Sequence, residues 1–460
     1  MNLPNIAKTI IKDQPSARDL FSANGDMIAP VYTIPNLGTH LTIIETTDAI
    51  IAHAIEGRAS DIHIEPSREG ATVRLRVDGA LHTFLELPRE IYLAIMGRLK
   101  ILASLKTDEA RRPQNGRIEL DRYAASSLRI STIPTLHGEK AVLRILESNE
   151  LRDFSLDRLG FSSAHQEIVM RNIQKPFGMI VSSGPTGSGK TTTLYGLINL
   201  LPKGNINVST LEDPIEYSLA GVTQMQVNPA IGLTFANGLR ALLRQDPDVM
   251  MVGEIRDSET AVITANAALT GHLVFTTLHT NDAPSAFVRL LEMRIDDFVT
   301  ASIVNLVIAQ RLVRRVCPHC TVARTPDPAI IKKMSEYRDL LKALVILGKD
   351  TDELARTELK SGTGCRRCMN TGYLGRIGIF EMVELNKQVH DLILAHASAE
   401  VIKAACEETG FRDMASDGMA KVLAGITTLE ELLRVTKSAG TPVAGIGSEV
   451  LYREDLGSID

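Results

Sequence analysis

The chain has 460 residues, enough for two to four domains, and its 44% hydrophobic and 23% charged residues suit a globular protein with real cores. A formal net charge of -5, no tryptophan and 4% aromatic residues argue against a nucleic-acid tracker, which uses a basic surplus and stacking platforms. No run approaches eighteen uninterrupted apolar residues and no secretory leader is visible, so the expected location is cytoplasmic, where five cysteines read as metal ligands or buried thiols before disulfides.

Residues 1–45 read as an N-terminal arm. Leu3, Ile6, Ala7, Ile10 and Ile11 form one apolar stripe beside Lys8 and Lys12, either a docking helix or a frayed end. Pro15, Gly25, Pro30, Pro35 and Gly38 then break the arm into loops. Residues 46–150 read as a small α+β domain. Thr47–Glu56 and Ile91–Ala103 have helical periodicity, while Ser60–Glu65 alternates at period two. Val73–His82 alternates around Asp78-Gly79, a strong hairpin signal, and alternation resumes at Arg117–Leu120, Leu128–Ser131 and Val142–Leu146. Arg74, Arg76, Arg129 and Arg144 share the polar face of these strands, where they either sit in solvent or reach a nucleotide.

Residues 151–163 read as a linker and Ala164–Ile173 as a helix. Across 164–311, apolar runs at Met179–Ser183, Ile206–Glu212, Val249–Gly253 and His272–Thr277 alternate with helices near 189–201, 235–245, 257–270 and 283–293. Such alternation predicts a mostly parallel sheet covered on both faces, with phosphate bound at the carboxyl ends of its strands. Residues 312–381 break the rhythm with two cysteine pairs, 382–437 return to helical periods, and 438–460 read as a flexible tail rich in Gly, Pro and Ser.

The stretch Gly184, Pro185, Thr186, Gly187, Ser188, Gly189, Lys190, Thr191, Thr192 lies between an apolar strand and a helix. Its glycines let backbone N–H groups face an anion, and the next helix adds its positive end. Lys190 would reach the β- and γ-phosphates of ATP and the Thr191 hydroxyl would ligate Mg²⁺; the bland alternative is a flexible glycine turn. Glu254, at the exit of the Val249–Gly253 strand, is the candidate to polarise the attacking water, or else caps the next helix. Glu212 comes first off its own strand, in Glu212-Asp213-Pro214-Ile215-Glu216, and could order metal-bound or attacking water. His279 sits at the phosphate end of a third strand, placed to sense the γ-phosphate.

Cys317 and Cys320 form one CxxC pair, Cys365 and Cys368 another. Four thiolates fit tetrahedral Zn²⁺, although the 44-residue gap is long for a ribbon and must loop out and return; free thiols are the alternative. His319 is at most a spare ligand, and Cys406 reads as core.

Taken together, SDIHIEP, RVDG, GPTGSGKTTTLY, EDPIE, RQDPDVMMVGEIRD, TGHLVFTTLHTN and the paired CxxC resemble the cytoplasmic secretion ATPases of type II secretion and type IV pilus assembly. The match runs from about Ser60 to Lys437. The resemblance implies an α/β chain with a RecA-like P-loop ATPase core, preceded by a small PAS-like domain and carrying a zinc-binding insertion and a C-terminal helical region. It implies a homo-hexamer using ATP, Mg²⁺ and Zn²⁺ to drive fibre assembly through a polytopic inner-membrane platform protein. Membrane association would be peripheral, through partners, with no nucleic acid. Arg129 and Arg144 match arginines that reach the γ-phosphate when the domains close, and Arg240 and Arg244 match arginines of the ring interface. Retraction members of the superfamily generally lack the cysteine pairs. Typical members begin with a further N-terminal domain that binds the platform; here about 45 residues precede the hairpin domain, so the short arm is the expected docking element, binding a cytoplasmic recruiter domain. The alternatives are a DNA-uptake pilus motor, a nucleic-acid translocase on the same core, and a nucleotide-gated scaffold.

Overall fold

The computed structural model describes residues 32–33, 42–120, 125–147 and 154–436. It holds two compact units, one comprising residues up to 153 with Glu216–Ser218, the other Phe154–Ile215 and the chain from Leu219 on. The apolar stripe of the first dozen residues and the tail 438–460 lie outside the described residues.

The first unit is a seven-stranded sheet of β1 (Tyr32–Thr33), β2 (Ala59–Pro66), β3 (Gly70–Val77), β4 (Ala80–Pro88), β5 (Gln114–Glu119), β6 (Ala125–Thr135) and β7 (Gly138–Glu147). Its order is β1-β4-β3-β2-β7-β6-β5, antiparallel except where β1 runs parallel to β4. Asp78 and Gly79, with φ of 48° and 89°, make the tight turn between β3 and β4. Alternate residues Ile62, Ile64, Val73, Leu75, Leu128, Ile130 and Leu143 share a core with Ile50, Ile51, Ile95 and Leu99 of the helices Ile43–Glu56 and Arg89–Leu102. Each such side chain contributes roughly 1.5–3 kcal/mol by leaving water.

The expected boundary between residues 45 and 46 falls inside the first helix. That helix starts at Ile43 because Thr42 and Glu45 form a capping box, and β1 gives the preceding segment a strand in the sheet.

The second unit is built on β8 (Gly178–Ser183), β9 (Val208–Glu212), β10 (Thr223–Gln226), β11 (Val249–Val252), β12 (Leu273–Leu278) and β13 (Val304–Val316), with β14 (Thr321–Arg324) and β15 (Leu359–Gly362) as a separate pair and β16 (Tyr373–Glu384) returning to the main sheet. Sheet order is β10-β9-β11-β12-β8-β13-β16, parallel except for the antiparallel β13–β16 pair. Every residue of β8, β9, β11 and β12 is buried, which is why these strands read as apolar runs rather than alternations. Helices Lys190–Asn199, Phe235–Leu242 and Ser258–Leu269 pack against this sheet.

Two expected boundaries move. The limits at 311/312 and 381/382 cut β13 and β16, both members of the main sheet, so the excursion proper leaves after Val316 and returns before Tyr373. It goes out through β14, makes the helices Pro328–Met334, Arg338–Ile346 and Thr351–Arg356, and comes back along β15, with Thr321 opposite Gly362. The stretch 151–163, expected as linker, holds the helix Leu156–Leu159 and a buried Phe161 stacked 4.1 Å from Phe380. Helix Arg338–Ile346 packs on helix Met414–Leu423 of the C-terminal helical region. Among the described residues, no helix is long and apolar enough to cross a membrane.

Candidate functional site

Parallel register brings four strand ends to one rim. Ser183 pairs with Leu278, and Val252 pairs with both Leu211 and Thr276, so Gly184, Glu212, Glu254 and His279 all emerge at the same edge. Gly184, Gly187 and Gly189 take φ of 144°, 78° and 91°, a left-handed backbone that a side chain would strain. At Gly184 an added Cβ would also lie 2.5 Å from the Gln310 carbonyl oxygen. Pro185, Thr186 and Gly187 form an exposed crown, and Gly189 caps helix Lys190–Asn199, whose first N–H groups face the loop. Thr191 and Thr192 stand in its first turn, half-buried.

Lys190 is buried and folds back on the loop, its Nζ donating to the Gly184 carbonyl at 2.7 Å and the Pro185 carbonyl at 3.1 Å. Burial pushes its ammonium down to about 8, with the Glu254 carboxylate pulling the other way. The Ser188 Oγ is buried without a hydrogen-bond partner among the described residues, a polar atom at the loop that a phosphate oxygen would satisfy.

Glu254 is the convergence point. Arg256 Nη2 donates to its Oε1 at 2.5 Å, and His279 Nε2 lies 3.5 Å from Oε2. Thr280 Oγ1 donates to Ser183 Oγ at 2.8 Å, and Ala283 N–H donates to the buried Glu381 at 2.7 Å, so the loop carrying His279 is anchored on both sides. Glu212 is placed differently. It is 2% exposed, and both its oxygens accept bonds: Oε2 from the Tyr195 hydroxyl, Oε1 from Thr210 at 2.5 Å and Gln224 at 3.1 Å. A carboxylate so saturated braces the exit of β9 and the helix after the loop.

In the first unit, Asp61 pairs across strands with Arg76 and Arg144, Arg144 with Arg129, and Arg129 with Arg117. One acid thus stands in a row with four arginines over five strands. Arg144 Nε donates to Asp61 at 3.0 Å and Arg129 is exposed, whereas Arg74 is held by Glu65 at 2.6 Å. Like charges directly opposite destabilise a sheet unless an anion meets them.

The cysteine sulfurs of 317, 320, 365 and 368 all lie within 4.8 Å of one another, with 3.9 Å between Cys317 and Cys365, 3.8 Å between Cys320 and Cys368, and 3.6 Å between Cys365 and Cys368. Four thiolates about 2.3 Å from a tetrahedral Zn²⁺ stand about 3.8 Å apart, so the set fits that ion. His319 is not part of the set; its Nε2 lies 3.1 Å from Arg367 Nη1. Cys406 is buried in helix Ala399–Glu408.

Three contributors were not singled out in the sequence. Arg256 carries a faint signal, two residues beyond Glu254. Tyr195 and Gln310 carry none, because their partners lie 17 and 122 residues away in the chain.

A glycine cradle between a buried strand and a helix, with a carboxylate at a nearby strand exit, defines a RecA-like P-loop nucleotide-binding fold. Within that class the chain belongs to the type II/IV secretion system protein family, whose model matches residues 37–434. It is 44% identical over 389 residues to the type IV pilus assembly ATPase PilB of Thermus thermophilus, covering 84% of this chain and 42% of that protein. It is 43% identical over 399 residues to the type IV pilus assembly ATPase TfpB of Acinetobacter baylyi, covering 85% of this chain and 65% of that protein. The type II secretion system protein E of Pseudomonas aeruginosa is 41% identical over 432 residues, 94% of this chain and 82% of that protein. The chain thus spans less than two thirds of the first two. Among solved structures, the Legionella pneumophila ATPase DotB shares the fold at 21% identity and a TM-score of 0.63, covering 89% of this chain and 100% of that one. The pilus retraction motor PilT with bound ADP matches at 25% identity and a TM-score of 0.57, covering 86% and 97%.

Proposed function

We propose that this chain is the ATP-hydrolysing subunit of a ring-shaped motor, a homo-hexamer at the inner face of the inner membrane. It drives assembly of a type IV pilus or a type II secretion pseudopilus through a membrane platform protein. The observation that carries the reading is the Glu254 carboxylate, set opposite the phosphate cradle and in touch with both His279 and Arg256. Support for the machine comes from the relatives named for pilus assembly and type II secretion, at 41% to 44% identity.

The residues divide the work by position. Backbone N–H groups of Gly184–Thr192 and the Lys190 ammonium hold the phosphates of ATP, exchanging internal carbonyls for ligand oxygens. The Thr191 hydroxyl would hold Mg²⁺, which when bound neutralises charge on the β- and γ-phosphates. Glu254 orients the attacking water and takes its proton, and His279, on the same carboxylate, reports the γ-phosphate to the loop behind it. Glu212 supports this from the neighbouring strand. Arg129, exposed, and Arg144, braced by Asp61, present a positive row suited to a phosphate on closure, and Arg240 and Arg244 serve the ring interface. Cys317, Cys320, Cys365 and Cys368 hold structural zinc.

Steady-state phosphate release by the purified chain tests the reading. Glu254→Gln should still bind ATP while turnover falls by about 10²–10⁴, because an amide cannot accept the proton. A Gln variant that turns over at the wild-type rate removes Glu254 from this role. Strong stimulation of the wild type by DNA would instead support a nucleic-acid translocase.

A further inference from the structure

Gln310, on β13, touches the phosphate loop at both ends and has no part in the proposal so far. Its side chain is 1% exposed. Nε2 donates to the Ser188 carbonyl at 2.8 Å, and Oε1 accepts from the Ser182 hydroxyl at 3.3 Å. Its backbone carbonyl sits where a side chain on Gly184 would go, and its Nε2 would lie 3.2 Å from a Cβ on Gly189.

The two bonds do more than fill valences. The Ser188 carbonyl can only accept, so the NH₂ end must face it, and the Ser182 hydroxyl donates to the oxygen left at the other end. The Ser188–Gly189 peptide is planar and trans, so its C=O and N–H point in opposite directions. Pinning the carbonyl back against β13 therefore turns the Gly189 N–H away from the sheet and into the cradle. Three glycines with positive φ leave the loop many other conformations, and an unbraced loop would have to lose that freedom on each binding event.

We infer that Gln310 is a positioning residue of the phosphate cradle, held at its far end by Ser182 and acting through the Ser188–Gly189 peptide. The inference rests on the reading that this loop binds ATP. It assigns Gln310 to binding of the α- and β-phosphates that ATP and ADP share, not to the attack of water.

The full chain, Gln310→Met, Gln310→Glu and Ser182→Ala are titrated with Mg-ADP by calorimetry, and KM and kcat for ATP are measured on the same preparations. Gln310→Met keeps the volume but loses both hydrogen bonds. It should bind ADP about tenfold more weakly, with KM rising likewise and kcat falling by less. Gln310→Glu sets a carboxylate against the Ser188 carbonyl and should bind more weakly still. Ser182→Ala should fall between wild type and Gln310→Met. ADP affinity within twofold of wild type in a folded Gln310→Met overturns the inference; if that variant loses its cooperative melt, unchanged affinity in Ser182→Ala overturns it. A chain that binds ADP with this dependence but never hydrolyses ATP would support the inference and sink the hydrolysis reading. A wild-type chain that binds no nucleotide would sink both.

Discussion

Lys190 is the residue on which pH bears most directly. Its ammonium is pushed down to about 8 because it is buried, while a phosphate needs it charged. In the nucleotide-free chain the charged form is lost as pH rises through that value, and binding a phosphate restores it. Nucleotide binding above about pH 8 should therefore take up a proton, approaching one per site, and affinity should weaken by about tenfold per further pH unit. Calorimetry in buffers of different ionisation enthalpy reads this directly; the same uptake at pH 7 and pH 9 would show that Lys190 is not the titrating group. At this scale the sequence reveals residues that sit next to one another or in a spaced motif: the loop, Glu254 and both CxxC pairs. It hides the amide of Gln310 and the hydroxyl of Tyr195, since a hydrogen bond between distant segments leaves no local pattern.

Elements follow the same rule. Periodicity finds strands and helices, yet it places limits poorly where two elements join without a break, as at β13, which runs without interruption into Cys317. That strand is tied to the C-terminal helices by Glu431, 1% exposed, which accepts from the Arg314 side chain at 2.6 Å, the Arg314 N–H at 3.0 Å and Arg434. Burial alone would raise the Glu431 carboxyl, but the Arg434 and Arg314 hydrogen bonds bring it down to about 2. A depressed carboxylate stabilises the fold above its unfolded value of 4.5 and loses that contribution as pH falls toward 2. Glu431→Ala should cost about 3 kcal/mol near neutral pH, somewhat less if solvent around Arg434 screens the pair, and its deficit relative to wild type should shrink through that acid window. A deficit independent of pH would mean the loss is one of packing. For the cysteine cluster, metal analysis should find about one zinc per chain, lost on replacing any of Cys317, Cys320, Cys365 or Cys368 with serine. Structural zinc contributes on the order of 10–16 kcal/mol in small modules, so proteolysis should then cut within 317–372 while the phosphate loop still binds ADP. Zinc-free protein grown with ample metal would count against the site.

For the whole molecule, the proposed role of Arg129 and Arg144 can be tested by kinetics. Arg129→Ala and Arg144→Ala should lower kcat far more than ATP affinity, since arginines that meet the phosphate only on closure stabilise the transition state; such residues contribute about 10³–10⁵ in rate elsewhere. Unchanged kcat in both would return the row to ordinary solvated charge, and paired measurements of kcat and ATP affinity decide. The two-unit architecture itself was legible, because a period-two region and a β/α region differ in rhythm. The row was only partly so: alternation puts each arginine on the polar face, but which ones stand opposite one another is a matter of strand register, which no single strand encodes.

Strand β13 carries Gln310 at its middle and leads into Cys317 just past its end, seven positions on, or about 23 Å of extended chain. It therefore works as a ruler between the phosphate loop and the cysteine cluster. Letters along it can change, provided each face keeps its character. Their number cannot, because one residue more would send either the amide or the thiol to the wrong side of the sheet. Where the register slips, between the pairs Arg314–Arg376 and Val316–Tyr373, the extra residue lies on β16, so β13 keeps its count. Over evolutionary time, insertions should collect in the excursion beyond Cys320 and spare the seven positions before Cys317.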